Sequence, residues 1–373
     1  MAKPHLFTGA RNARDLLLRP ETLSQAGQTP KEVVDDDGLV QLWYYPPLGE
    51  SSVTLADIRV PVAGQTRRTP LVIVPPLAVN MLIYDLFPDR SLVRFFRARG
   101  FELYLVNWGR PDRRHDHHRM KTYFAELLPE KLERIREHSG SRRLWLHGWS
   151  FGGLFSLCYA ALGRDPDLAG LILVGAPCDY HHEGALGRQY RRLATRMRRL
   201  RRLTGLHVRR MPRGLFHAPG WANTLGFKLL TPLDSLRGYR ELLRNLRDRD
   251  YVRDYATNAA FLEDMVAYPG GVMQDVVHFL LVDNVLARGR LPMKGSGDLS
   301  FANVAVPVLN VTGANDPIVP PEASRRMFEF IAAGDTECLT VPGGHMGVLA
   351  GSRSAGQSWE RIAQWMEQRE PHH

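Results

Sequence analysis

The sequence has 373 residues, 44% of them hydrophobic and 24% charged, enough to bury a sizeable core as one large domain or as a domain carrying an insertion. It contains no run of about 18 apolar residues, and its first residues lack the apolar core of a secretory signal, so no membrane-spanning helix is predicted and the expected address is cytoplasmic. Cys158, Cys178 and Cys338 are odd in number and lack metal-ligand spacing, which argues against a disulfide framework or a zinc site. The net charge of +10 is local: residues 188–213 hold eleven arginines with no acid or lysine, and the rest of the chain sums to −1.

In chain order, residues 1–40 show little periodicity and end near Asp35, Asp36 and Asp37, which reads as an N-terminal extension. Gln41 to Tyr45 and Val53 to Val60 suit opening strands, and Leu71 to Val74 a short strand closed by Pro75 and Pro76. A helix is expected over Ser91 to Arg99, a buried strand over Phe101 to Asn107, and a helix over Lys121 to His138 with a break or kink at Pro129. Leu144 to Leu146 is an apolar run suited to a strand buried on both faces, followed by His147. Leu171 to Val174 is the next strand. This alternation predicts an α/β fold with a mostly parallel sheet and helices on both faces. From 180 to 300 it stops, and helical pieces broken by Pro212, Pro219, Pro232, Pro269 and Pro292, without strands, read as an inserted helical cap. The core of 41–179 resumes at 301–373 with strand Val306 to Val311, a helix near Pro321 to Ala332, strand Glu337 to Val341 and a closing helix from Trp359 to about Gln368.

The site candidates sit at strand ends. Gly148, Ser150 and Gly152 spell G-x-S-x-G between the strand and an apolar helix, the setting of a nucleophile elbow, where small flanking residues let strand and helix pass closely. The amide of Phe151, at the start of that helix, is positioned to hold a developing oxyanion, and the second donor is expected from Leu77 or Ala78 in the loop after Pro76. Asp316 follows one strand and His345 another. In the order Ser150, Asp316, His345, the chain resembles an α/β-hydrolase: the imidazole takes and returns the serine proton, and the carboxylate fixes its tautomer.

Within that group the chain resembles the polyhydroxyalkanoate synthases, especially the short kind that works with a second subunit. The likeness covers roughly residues 70 to 350. It is carried by V-P-P-L-A-V-N-M-L-I-Y-D-L at 74–86, R-S-L-V-R-F at 90–95, N-W-G-R-P-D at 107–112, F-S-L-C-Y-A-A-L at 155–162, P-V-L-N-V at 307–311 and P-G-G-H-M-G at 342–347. The family's cysteine nucleophile, its acid in a G-x-x-D-x-I-V-P-like stretch and its G-G-H histidine align with Ser150, Asp316 and His345. The resemblance implies hydroxyacyl esters, polyesters or coenzyme A thioesters as substrates, and a second subunit or a homo-oligomer as partner. Serine in place of cysteine tilts the reaction toward hydrolysis: it depends fully on its histidine, and an acyl-serine ester is the usual intermediate of hydrolases. A polymerising acyltransferase is the alternative. A non-catalytic granule- or membrane-associated binding protein is the other, and the intact Ser, Asp and His set argues against it.

Arg191 to Leu203 places Leu193, Met197, Leu200 and Leu203 near one helical face among arginines. It reads as a solvated basic helix packed on the core, a contact for an anionic granule or membrane surface or an acidic partner, or an attractor of phosphate-bearing coenzyme A. No nucleic-acid motif is recognised, and no nucleic acid, metal or cofactor is expected. His115, Asp116, His117 and His118 lack a usual metal-ligand spacing and read as a loop, as do His181 and His182. Trp108 and Asp112 either line the pocket or anchor its rim.

Overall fold

The computed structural model describes residues 4–370 apart from 57, 68, 231 and 294–296. The chain opens with helix α1 (Pro4–Leu18) and strand β1 (Glu32–Asp36), followed by β2 (Gln41–Tyr45), the hairpin β3 (Ser52–Leu55) and β4 (Ile58–Pro61), and β5 (Leu71–Val74). Helix α2 (Leu92–Ala98), capped by the Ser91 side chain on the Arg94 amide, leads to β6 (Leu103–Asn107). Helix α3 (Leu128–Ser139), strand β7 (Leu144–Trp149), helix α4 (Phe151–Ala161) and strand β8 (Leu168–Val174) come next.

Among the described residues eight strands form one sheet, in the order β1, β2, β6, β5, β7, β8, then β11 (Val308–Gly313) and β12 (Thr336–Val341). β1 and β2 pair antiparallel at one edge, and the strands from β6 onward run parallel. Alternation along the strands divides the core between the two faces. Val72 and Val74 join Leu144 and Leu146 in one cluster, while Leu71 and Ile73 join Trp145 in the other.

After β5 the chain moves to β6 on one side and then to β7 on the other, so the strand order switches direction between β5 and β7. A crevice opens at such a point outside the carboxyl ends of the strands.

Between β8 and β11 lie helices α5 (Ala185–Thr204), α6 (Gly220–Leu230), α7 (Pro232–Arg244), α8 (Arg249–Glu263) and α9 (Gly270–Asp275), then the strand pair β9 (Arg290–Met293) and β10 (Gly297–Ser300). After β11 come short helices α10 (Pro321–Arg325) and α11 (Gly347–Ala350), and α12 (Glu360–Glu367) closes the described chain. Among the described residues no helix is long and apolar enough to cross a membrane.

Four details differ from the sequence expectations. Residues 1–40 contain α1, whose Asn12 side chain donates to Leu246 O at 3.0 Å and accepts from Arg249, and β1, whose Asp35 pairs with the buried Lys131 of α3. Val53 to Val60 is a hairpin apart from the main sheet, turning at Ala56 with φ 51°. The 180–300 stretch does contain strands, because Pro292 sits in a two-stranded ribbon that needs few ladder bonds. Pro129 does not break its helix: a wide-turn stretch, Thr122–Leu127, bonds Leu128 N to Tyr123 O and runs directly into α3.

Candidate active site

Ser150 follows β7 and caps α4 with φ 53° and ψ −121°, a strained conformation for a residue with a side chain. The strain is held by close backbone packing. A Cβ on Gly152 would stand 1.9 Å from Val74 O, so any other residue would push α4 off β5. Every residue of α4 is buried, and Ser150 N donates to Val174 O at 2.8 Å, tying the turn to β8 as well.

His345 brings the other two groups together. Its Nε2 lies 2.9 Å from Ser150 Oγ, and its Nδ1 lies 2.7 Å from Asp316 Oδ2. The other carboxylate oxygen, Asp316 Oδ1, accepts from the amides of Ile318 and Val319, both at 2.9 Å. Asp316 and His345 are both buried. The acid loop and the histidine loop are joined by their backbones, since Ala314 N donates to Val341 O and Asn315 N to Gly343 O. Gly175, at φ +55°, passes beneath them: a Cβ there would lie 3.3 Å from the imidazole of His345.

Leu77, Ala78 and Phe151 line the same cavity of about 450 Å³ as Ser150 and His345. Ala78 has φ 69°, so the loop after β5 turns sharply beside the serine. Its carbonyl accepts from Val266 N at 3.0 Å, and Asn80 Nδ2 donates to Phe261 O and Asp264 O, both at 3.0 Å. The loop is thus fastened to the end of α8. The cavity wall is mostly aromatic and aliphatic, with Trp149, Tyr180, Tyr190 and Tyr268 on it. That lining and volume suit an acyl group more than a hydrophilic ligand.

Sequence reasoning missed two supports. Trp149, next to the serine, donates its Nε1–H to His345 O at 3.1 Å and lies 5.4 Å from the imidazole ring, so one residue places both partners. Asn80 is the other. Neither has a local sequence signature, because each acts through a carbonyl distant in the chain.

The remaining candidates take structural positions. Trp108 is buried and donates to Pro75 O at 2.8 Å, which anchors the loop after β5, and Asp112 caps the turn Arg113–His115. His115 contacts Asp112, His117 contacts Arg114 O, and Asp116 Oδ1 accepts from Gly270 N and contacts His217. His182 lines the cavity, whereas His181 contacts Leu281 O. His147, three residues before the serine, is fully buried, and desolvation pushes its pKa down to about 4. Burial likewise pushes the thiols of Cys158 and Cys178 up, away from nucleophilic character.

Residues 70–352 match the family described as alpha/beta hydrolase fold. With its sheet order and elbow, the chain belongs to that family and is an enzyme. Among proteins of known name it is similar to the poly(3-hydroxyalkanoate) polymerase subunit PhaC of Haloferax mediterranei, 26% identical over 358 residues, covering 94% of this chain and 67% of that one. The subunit of the same name from Allochromatium vinosum is 25% identical over 95% of this chain and 92% of its own. Among solved structures, a soluble variant of monoglyceride lipase from Saccharomyces cerevisiae shares the fold. It has a TM-score of 0.54 and 14% identity over 93% of this chain and 97% of that one.

Proposed function

We propose that the chain is a serine acyl hydrolase that forms an acyl-Ser150 intermediate on hydroxyacyl esters or thioesters. One observation carries the reading: the imidazole of His345 lies 2.9 Å from the Ser150 hydroxyl on one side and 2.7 Å from the Asp316 carboxylate on the other. In this scheme His345 takes the Ser150 proton as Oγ attacks the acyl carbon, and Asp316 holds its tautomer and stabilises the imidazolium. The amides of Phe151 and of Leu77 or Ala78 receive the oxyanion. His345 then protonates the departing alkoxide or thiolate, and a water deprotonated by the same imidazole releases the hydroxy acid and frees the serine.

The names of the polymerase relatives support a hydroxyacyl group as the moiety transferred and favour a second reading, in which acyl-Ser150 passes to the hydroxyl of a growing polyester. Serine tilts the balance toward water, since its ester is less activated toward an alcohol than a thioester would be. The test supplies hydroxyacyl-coenzyme A and weighs the products, alongside a fluorophosphonate probe. Labelling of wild type but not of Ser150→Ala, turnover lower by roughly 10⁴-fold or more in the variant, and free hydroxy acid as product are expected. Oligomer as the product replaces hydrolysis with polymerisation. Equal labelling of both proteins removes Ser150 from the mechanism and both readings with it.

A further inference from the structure

A second cavity, of about 820 Å³, lies apart from the serine and shares no lining residue with its cavity. Its walls carry Arg201 from the end of α5 and Arg209, Arg210 and Arg213 from the following loop, and none of the four has an acidic partner among the described residues. Among the described residues one acid lines it, Asp275, which is buried and already bridged by Arg119. Phe279, Leu291 and Met293 add an apolar part of the wall, and the Arg209 guanidinium lies 5.0 Å from the centre of the Phe279 ring.

The arginine loop is held in place. Gln274, fully buried, donates to Val208 O and to Met211 O, both at 2.8 Å, so the two carbonyls flanking Arg209 and Arg210 are fixed. Burial and the nearby arginines together hold His207 and His278, whose rings are 4.9 Å apart, toward their neutral forms. Four arginines lining one concave space, of which Arg213 also donates to His117 O at 3.2 Å, outweigh the single carboxylate of Asp275 and create a positive potential that an anion would relieve. Guanidinium forks match phosphate oxygens in pairs, and several arginines favour more than one phosphate. A cavity of this volume fits a small molecule or a lipid headgroup. The outward arginines of α5, such as Arg192 and Arg196, line a separate, smaller cavity and provide a control.

We propose that this groove is a binding site for a ligand carrying two or more phosphate groups. The proposal is independent of the chemistry assigned to Ser150. To test it, the full chain is titrated calorimetrically with inorganic pyrophosphate and with a nucleoside bisphosphate. Vesicles containing a bisphosphorylated inositol lipid are assayed by co-sedimentation. These are repeated on Arg201→Glu/Arg210→Glu and on Arg192→Glu/Arg196→Glu, which changes net charge equally outside the groove.

Binding of a soluble phosphate compound that weakens about tenfold or more in the groove variant, with the control retaining wild-type affinity, supports a free phosphorylated ligand. The same pattern with vesicles alone supports a lipid headgroup. Absence of binding in every arm, or equal weakening in both variants, overturns the proposal. If the groove variant does not reach the wild-type unfolding midpoint, Arg210→Gln carries the same comparison.

Discussion

The carboxyl edge of the sheet and the segment between β8 and β11 hold their polar groups by different means. At the sheet edge, Ser150, Asp316 and His345 are fixed mainly by backbone: amides on the carboxylate, loop-to-loop carbonyl bonds, and a glycine where a strand and a helix nearly touch. The Trp149 indole on His345 O adds a side-chain support. In the segment, long side chains provide much of the order, with Gln274 bridging two carbonyls, Arg198 reaching Val282 O and Arg191 reaching His181 O and His182 O. Leu200 and Leu203 remain exposed there, so the leucine face read from the sequence is only partly packed. Backbone-held groups cannot move without shifting the sheet, whereas side-chain-held groups can rearrange locally. The first region is suited to fixed chemistry and the second to adapting around a ligand.

The contrast breaks most directly at Gly152. In Gly152→Ala the new methyl meets the carbonyl of Val74, a backbone atom of a fully buried strand that has no room to yield. A loss of about 3 kcal/mol is expected from overpacking of this kind, read as a drop in the thermal midpoint of roughly 4 °C for a chain this long. Labelling of Ser150 should fall with it. An unchanged midpoint would mean that the elbow relaxes freely and that the sheet edge is no more rigid than the inserted segment.

How much was legible in the sequence follows the same division. Ser150, Asp316 and His345 could be picked out because each stands just past an apolar strand and beside glycines, and because strand ends gather at one edge of a parallel sheet. Asn80 could not, since it works through carbonyls 181 and 184 residues away, and nothing near it in sequence reports that reach. Residues 1–40 read as an extension because they show little periodicity and end near three aspartates; the order of β1 comes from pairing with β2 and from the buried Lys131 beside Asp35. The arginine cluster was visible as charge, but its division into a groove and an outer face depends on where α9 and its neighbours pack.

Replacing Gln274 with leucine sharpens the comparison from the other side. Val208 O loses its donor in a buried setting and Met211 O in a partly buried one, at a cost of about 2 kcal/mol. Because the affected loop is joined to the sheet edge by few backbone bonds, the damage should remain local. Amide exchange is expected to quicken over residues 205–213, with Ser150 labelling close to wild type. Loss of labelling in step with faster exchange would show that the two regions open as one unit.

The smallest effect is expected at the seam, where Asn80 joins the loop after β5 to the end of α8. Asn80→Ala removes two donor contacts and the acceptor for Leu82 N. The Asp264 carbonyl is only partly buried, so water replaces some of what is lost and the stability cost falls to about 1 kcal/mol. The kinetic cost should be distinct. Leu77 and Ala78 precede this anchor, and a looser loop misplaces any oxyanion donor they provide, so kcat falls several-fold while KM changes little. A change in KM with kcat preserved would instead assign the seam to substrate admission, with α8 acting on the cavity mouth rather than on the loop beside the serine.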